Sequence, residues 1–301
     1  MRKPDFFIVG GPRCGTSAMK AYLEKHPEIF MPPSRLEPHF FGTDLPGTGF
    51  IRDEPAYLSL FAGANNEKRV GEKSPLYLYS KQAASEIKGF LPSASIIIML
   101  RNPVDMVYSL HSFLVYVERE NIADLKDALD AEEDRKRGLR PPDSANLQDV
   151  WHFLYRDRGK YADQVQRYLD TFGRENVHVI IFDDFISDPA EAYRDTLEFL
   201  RVDPGFQPEF RQINTNRRAF SRTFQNFLKN PPPSIRSFVK GVTPILWRHR
   251  VIDALDRLSS TSTTRPPMER ELRRKLQEEF LPDVERLSKL LGRDLTHWCR
   301  T

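Results

Sequence analysis

The segment GGPRCGTS at residues 10–17 combines residue types that can hold a phosphate-like anion. Its spacing nearly matches G-x-x-x-x-G-K-[ST], in which successive backbone N–H groups and the start of a helix form an anion cradle. Thr16 stands where nucleotide triphosphatases carry lysine, and the loop's cation is Arg13 instead. Without that lysine the loop lacks the cation that binds the β- and γ-phosphates of a nucleoside triphosphate. The loop therefore favours a smaller anion, such as a 5′-phosphosulfate, and the alternative is a glycine-rich turn without a ligand.

A second candidate anion site is formed by Arg101 and Ser109. Arg101 directly follows the apolar run SIIIML, and Ser109 lies eight residues further on, about two helical turns. A permanent cation at the carboxyl end of a parallel strand is well placed for an anionic ligand in the crevice there. Taken singly, each residue is equally compatible with an arginine that caps the sheet and a serine on a polar helix face.

The elements around these residues alternate between strand and helix. Short apolar runs predict buried strands, and apolar residues at helical spacing predict the helices. The predicted strands cover residues 5–11, 95–100 and 176–182. The predicted helices cover residues 16–23, 80–91, 124–137, 151–172, 188–200 and 268–291, with one more beginning at Pro103. This order predicts an α/β fold of three layers, a central mostly parallel sheet flanked by helices. We expect one domain over residues 1–301, with an irregular, mainly helical region from about 203 to 301 packed on the sheet.

The composition argues against a nucleic-acid-binding, a disulfide-rich or a membrane-spanning protein. The chain has 301 residues, 40% of them hydrophobic, which is enough for a sizeable core. Its formal charge of +3 is too weak a balance to indicate nucleic-acid binding. Two cysteines cannot form a disulfide framework, and the apolar runs are far shorter than the roughly 18 residues of a membrane span. We therefore expect a soluble, cytoplasmic, bacterial protein without a membrane span.

The stretch from residue 8 to residue 42, IVGGPRCGTSAMKAYLEKHPEIFMPPSRLEPHFFG, resembles the opening of sulfotransferases that use 3′-phosphoadenosine 5′-phosphosulfate (PAPS). The resemblance is to the heparan-sulfate-type and bacterial carbohydrate sulfotransferases, and it extends to EKSP at 72–75, to residues 101–109 and to the C-terminal helix. It implies a P-loop-containing fold and release of adenosine 3′,5′-bisphosphate (PAP). The residues it implies for donor binding are Gly11, Pro12, Arg13, Cys14, Gly15, Thr16 and Ser17 in the loop, and Arg101 and Ser109 at the 3′-phosphate. We also expect Thr264 and Arg265 to lie in a loop that closes over the nucleotide. One departure is Cys14, where the resemblance leads us to expect lysine.

The same resemblance implies catalytic roles for four residues. Glu37, in the EPHFF sequence at 37–41, is the candidate base for the acceptor proton, and His39 would orient it or contact the substrate. Lys73, which we expect in a turn, and Arg13 would stabilise the charge on the transferring group. We expect no metal, since a sulfuryl group carries less charge than a phosphoryl group. From the residues alone, Glu37 as a solvated carboxylate and His39 as a packed side chain are the simpler readings.

Two other functions remain open at the level of the sequence. A P-loop kinase or nucleotidase using ATP and magnesium would fit the loop and Asp183, a carboxylate after the third predicted strand. The missing loop lysine counts against it. A non-catalytic nucleotide-binding protein is the other alternative. The lead expectation is a PAPS-dependent sulfotransferase acting on a carbohydrate-bearing or small-molecule acceptor.

Overall fold

A five-stranded parallel sheet forms the centre of the protein, with the strand order β2-β3-β1-β4-β5. The computed structural model describes residues 2–32, 37–47, 49–142, 147–210, 217–219, 260–262 and 266–300. The strands of the sheet are β1 (Phe6–Gly10), β2 (Ile29–Phe30), β3 (Arg69–Lys73), β4 (Ser95–Leu100) and β5 (Val177–Ile181). The predicted α/β fold with a parallel sheet is confirmed.

The three strands predicted from apolar runs lie in the centre and at one edge of this sheet. Every residue of β1 is buried, as expected for a strand covered by helices on both of its faces. Its register places Phe6 opposite Gly71 of β3 and Ser95 of β4. Because the strands are parallel, the carboxyl ends of β1, β3 and β4 meet at one edge of the sheet. That edge carries the 10–17 loop, Lys73 and Arg101.

Helices flank the sheet and contact one another. In the described part of the chain the α-helices are α1 (Thr16–Leu23), α2 (Glu54–Ser59), α3 (Ala83–Phe90), α4 (Pro103–Tyr116), α5 (Leu125–Asp130), α6 (Glu132–Lys136), α7 (Tyr155–Gly159), α8 (Ala162–Phe172), α9 (Phe182–Ser187), α10 (Pro189–Leu200) and α11 (Arg270–Leu291). Helices α1 and α10 meet through Tyr22 and Tyr193, whose ring centroids lie 6.4 Å apart. Helix α8 contacts α3 and α11.

The prediction of one long helix over residues 151–172 is wrong. A 3₁₀ helix (Leu147–Phe153) is followed by α7 and then by α8, and the chain leaves the helical conformation at Lys160. Asp283 of α11, outside this segment, stabilises the break between α7 and α8. Its carboxylate accepts hydrogen bonds from the backbone N–H groups of Tyr161, at 2.7 Å, and Ala162, at 3.2 Å. Asp283 thus supplies the acceptor for the first turn of α8 that its own sequence lacks.

The predicted helix over residues 124–137 is two short helices, α5 and α6, divided at Ala131. Arg156 lies against this division. Its guanidinium donates to the carbonyl of Leu129, at 2.7 Å, and to the carboxylate of Glu132, at 3.2 Å. A side chain from a distant segment thus provides the partner for a carbonyl at the end of α5.

Lys73 lies at the end of strand β3 and not in the turn that the sequence predicts. The strand sequence RVGEK has no apolar run, so it lacks the usual sign of a buried strand. Gly71 fits there because a Cβ at that position would come within 2.1 Å of Cζ of Phe6. Only a residue without a side chain allows β3 to pair with β1 at this point.

Residues 212–267 form a second compact unit. Its described part includes two short antiparallel strands, β6 (Arg217–Ala219) and β7 (Ser260–Ser262). The predicted nucleotide-covering residues Thr264 and Arg265 lie outside the described residues. That residues 1–301 form one domain stays a prediction.

Candidate active site

The 10–17 loop joins β1 to α1 in the arrangement that an anion cradle requires. Gly15 precedes the helix with φ = 93°, in the left-handed region that favours glycine. The loop is held to the sheet by a hydrogen bond from the N–H of Gly11 to the carbonyl of Met99, at 2.6 Å. The first N–H groups of a helix have no acceptor within it. Those of α1, beginning at Thr16, therefore form a site that favours an anion.

Cys14 does not present its side chain to this cradle. The thiol is fully buried and its Sγ lies 3.4 Å from the carbonyl oxygen of Pro12. Burial raises the pKa of the thiol to about 11, although the charges of Arg101 and Arg13 oppose this shift. Cys14 is thus a neutral core residue, and any contact that it makes with a ligand is through its backbone. A lysine at this position would have to bury its ammonium group.

Arg13 points along the loop toward α4. Its Nε donates to Oγ of Ser109 at 3.1 Å, and its guanidinium lies 4.9 Å from the ring centroid of Phe113. Ser109 and Phe113 are one helical turn apart on α4, so they face the loop together. Arg101, at the end of β4, places its guanidinium 4.7 Å from the ring of Phe182. Arg13 thus contacts Ser109, and the charges of Arg13 and Arg101 both act on the buried Cys14 thiol between β1 and α1.

Lys73 connects the loop with the 37–41 segment. Its Nζ lies 3.2 Å from Oγ of Ser17 and 2.5 Å from Oε1 of Glu37. The Lys73 side chain is 4% exposed, whereas that of Glu37 is 36% exposed. A cation, a carboxylate and the beginning of α1 therefore meet at one point, and the carboxylate is the member that faces solvent.

Glu37 is shared between Lys73 and His39. Nε2 of His39 lies 3.4 Å from Oε2 of Glu37. Burial alone would raise the pKa of Glu37, but the hydrogen bond with His39 and the charge of Lys73 outweigh it and lower this pKa to about 2. Glu37 is therefore ionised at neutral pH. The contact of His39 with Glu37 is compatible with the predicted orienting role, and the His39 ring also packs against Phe50, at 4.6 Å between ring centroids.

Asp183 and the buried His111 of α4 have partners other than the residues described above. Oδ2 of Asp183, the carboxylate of the kinase alternative, accepts a hydrogen bond from Nε1 of Trp298 at 2.9 Å. His111 is buried, and its Nε2 lies 2.9 Å from the carbonyl of Ile122. Within the described ranges, no three His, Cys, Asp or Glu side chains are grouped so that they could hold a metal ion. No helix among these residues is long and apolar enough to cross a membrane.

Sequence reasoning missed Phe113 and Glu72. Phe113 is partly exposed on α4 and looks like any surface aromatic residue in the sequence. Its spacing of four from Ser109 is the signal that could have found it. Glu72 is only 1% exposed. A glutamate next to Lys73 in the sequence gives no indication that its side chain is buried.

Residues 3–290 match the sulfotransferase domain family. The crystal structure of a sulfotransferase from Alicyclobacillus acidocaldarius is 35% identical in sequence, with a TM-score of 0.75 and full coverage of both chains. Heparan sulfate glucosamine 3-O-sulfotransferase 6 of Homo sapiens is 24% identical over 293 residues, covering 97% of this chain and 73% of that protein.

The bifunctional heparan sulfate N-deacetylase/N-sulfotransferase 1 of Caenorhabditis elegans is 23% identical over 300 residues. The match covers 97% of this chain and 30% of that protein, so the chain spans less than a third of the length of this bifunctional relative. The family match extends over nearly the whole chain, including every element that carries the site described above. The chain belongs to the sulfotransferase family.

Proposed function

We propose that the chain transfers a sulfuryl group from PAPS to a hydroxyl or amine of a carbohydrate-bearing or small-molecule acceptor and releases PAP. The observation that carries the proposal is the position of Lys73, whose Nζ lies within hydrogen-bond distance of both Ser17 and Glu37. One ammonium group thus joins an anion cradle to a solvent-facing carboxylate. Transfer of a sulfuryl group to a hydroxyl or amine requires a cation that stabilises the developing negative charge and a base that takes the proton.

The described residues fit a donor with two separate anionic groups. The loop and the start of α1 offer N–H donors to a 5′-phosphosulfate. Arg101 and Ser109 offer a guanidinium and a hydroxyl to a 3′-phosphate, and Arg13 can reach both groups because its Nε already contacts Ser109. We assign Thr16 and Ser17 to the 5′ side. A contribution of Thr264 and Arg265 remains a prediction.

The protonation of Glu37 is coupled to the position of Lys73. A carboxylate with a pKa of about 2 is a weak base, since general bases work best with a pKa near the operating pH. Lys73 is drawn toward the added negative charge when the donor occupies the loop, and this weakens its ion pair with Glu37. The pKa of Glu37 then rises toward its ordinary value of 4.5. Donor binding thereby increases the basicity of the residue that must take the proton.

The donor supplies a sulfuryl group whose bond to the 5′-phosphate oxygen breaks as the acceptor oxygen or nitrogen bonds to sulfur. Glu37 takes the proton that the acceptor loses, and His39 holds the carboxylate in place. Lys73 and Arg13 stabilise the negative charge that grows on the leaving phosphate oxygen. Nδ1 of His39 is buried and has no hydrogen-bond partner in the described part of the chain.

The acceptor class is supported by the names of the relatives, which are sulfotransferases of a hydroxyl and of an amine on heparan sulfate. No observation favours the kinase alternative, since Asp183 is engaged by Trp298. The test is transfer of radiolabelled sulfate from PAPS to desulfated heparan oligosaccharides, other hydroxyl- or amine-bearing sugars and phenols. We expect Glu37→Gln to lower turnover about 10²–10⁴-fold and not to weaken PAP binding, since Lys73 loses its ion pair with Glu37 and stays available to the donor. Equal loss of both would remove the base assignment.

A further inference from the structure

A buried carboxylate, that of Glu72, lies behind the 37–41 segment and takes no part in the chemistry proposed above. Three hydroxyl groups donate to it. Oγ of Ser74 lies 2.5 Å from Oε1, and the hydroxyls of Tyr57 and Tyr77 lie 3.0 and 3.1 Å from Oε2. Glu72 has no cationic partner among these contacts. Burying a carboxylate and three hydroxyls costs free energy, so packing alone does not explain this cluster.

Two of these three hydroxyls also hold the backbone of the 37–41 segment. The N–H of His39 donates to Oγ of Ser74 at 3.0 Å, and the N–H of Phe41 donates to the hydroxyl of Tyr77 at 3.2 Å. Each hydroxyl therefore gives its proton to Glu72 and accepts from one backbone N–H. One carboxylate thereby fixes two points of the segment, one on each side of Phe40.

The charge of the carboxylate determines the direction of these hydrogen bonds. Burial raises the pKa of Glu72 to about 7, and above that pH the ionised carboxylate only accepts. It then turns the protons of Ser74 and Tyr77 toward itself and leaves their lone pairs facing the two N–H groups. An amide at this position would offer one acceptor oxygen and an NH₂ group that donates. At least one of the hydroxyls would then have to turn, and its bond to the segment would weaken.

His39 needs such support because its backbone lies in the left-handed region, with φ = 47°. This conformation is unfavourable for a residue other than glycine and persists only where the surroundings hold it. The ring of the same residue contacts Glu37. Any relaxation of the His39 backbone would therefore displace the group that orients the proposed base.

We propose that Glu72 is a positioning residue, which acts through Ser74 and Tyr77 to hold His39 and Glu37 in the orientation that proton transfer requires. The inference rests on the proposed function, because it presupposes that Glu37 is the base. It assigns the role to the carboxylate and its two bridging hydroxyls, and not to the burial of polar groups in general.

Tyr57 provides a matched control, since its hydroxyl donates to the same carboxylate but contacts no backbone group of the segment. Its ring stacks on Phe40 with centroids 4.2 Å apart, a contact that Tyr57→Phe preserves. Ser74→Ala and Tyr77→Phe each remove one bridge. Glu72→Gln disturbs both bridges, and its thermal unfolding shows whether it folds. If it does not, the two hydroxyl variants carry the test.

The experiment combines amide hydrogen exchange by NMR with the kinetics of sulfuryl transfer from PAPS. We expect the His39 amide to exchange at least about tenfold faster in Ser74→Ala, and the Phe41 amide similarly in Tyr77→Phe, since each loses its acceptor. Both variants should lower kcat at unchanged PAP affinity. Tyr57→Phe should match the wild-type protein in exchange and in kcat.

Unchanged exchange and kcat in both bridge variants would overturn the inference. So would a kcat in Tyr57→Phe as low as that in Tyr77→Phe, because Glu72 would then matter only for stability. A wild-type protein that transfers no sulfuryl group from PAPS would instead refute the proposed function. Since the wild-type activity is measured separately, the two failures are distinguishable.

Discussion

Nζ of Lys73 and Oε1 of Glu37 lie 2.5 Å apart, and the same ammonium group lies 3.2 Å from Oγ of Ser17 at the start of α1. Lys73 comes from β3, Ser17 from the helix after β1, and Glu37 from the segment that follows α1. The pairing of β1 with β3 in the parallel sheet is what brings these residues together. The Lys73 ammonium therefore lies between the loop and Glu37, and its charge lowers the pKa of that carboxyl.

Removing Lys73 should raise the pKa of Glu37. In Lys73→Met the carboxylate loses its closest positive charge, and an opposite charge at this distance lowers a pKa by about 1–3 units. We expect the pKa to move upward from about 2, as measured by ¹³C NMR titration of the carboxyl group. Lys136→Met is the control, because Lys136 pairs with Glu133 instead, at 2.9 Å. An unchanged pKa in Lys73→Met would contradict the coupling.

Ser109→Ala should weaken PAP binding and leave 5′-AMP binding unchanged. A hydrogen bond to a charged group contributes about 1.5–3 kcal/mol, which corresponds to roughly 10–100-fold in affinity. Ser112→Ala is the matched control, since Ser112 lies on the same helix and bonds only to the carbonyl of Tyr108, at 2.8 Å, among the contacts described for it. Calorimetry measures both ligands. Equal weakening of PAP and 5′-AMP would show that Ser109 does not read the 3′-phosphate.

The buried carboxyl of Glu72 should make the folded state less stable as the pH rises through a defined range. Burial raises its pKa to about 7 from the ordinary 4.5, although hydroxyl donors oppose the shift. Between these values the folded protein holds more protons than the unfolded chain, so raising the pH favours unfolding. The full shift corresponds to about 3 kcal/mol.

Glu72→Gln, which does not titrate there, provides the reference for this prediction. The free energy of unfolding of the wild-type protein, minus that of the variant, should decrease between about pH 4.5 and pH 7. Urea unfolding at several pH values measures it. A difference that stays constant or increases over this range would be incompatible with a raised pKa.

Cys14→Lys should destabilise the fold without strengthening anion binding. The position is fully buried, and an unpaired ammonium there would carry a penalty of several kcal/mol. Cys14→Ala is the control for loss of the thiol itself. Thermal unfolding and PAP calorimetry check both variants. A lysine variant as stable as the wild-type protein, with tighter PAP binding, would show that position 14 faces the ligand after all.

The parts of the fold that the sequence predicts correctly are those whose local pattern agrees with the tertiary structure. Strand β4 is an apolar run that is buried along almost its whole length, and α10 begins with Asp188, which caps it, and Pro189. The helix over 151–172 is wrong because its division depends on Asp283, more than a hundred residues away. No local pattern contains that information.

The candidate site likewise contains residues that a local pattern predicts and residues that only the fold places. The loop at 10–17 and the Arg101–Ser109 pair have recognisable spacing, and the structure brings Arg13 to Ser109. The placement of Glu37 beside Lys73 depends on β3, a strand without an apolar run. The burial of Glu72 could not be predicted from the sequence, because its hydroxyl partners come from α2 and from the turn after β3 and meet only in the folded chain.

The proposed function is tested most directly by calorimetric binding of PAP beside 5′-AMP and ATP, with and without magnesium. We expect micromolar PAP binding that is independent of magnesium and far tighter than that of 5′-AMP, because we assign Arg101 and Ser109 to the 3′-phosphate. A preference for ATP that requires magnesium would contradict the proposed function, since the loop would then serve a triphosphate.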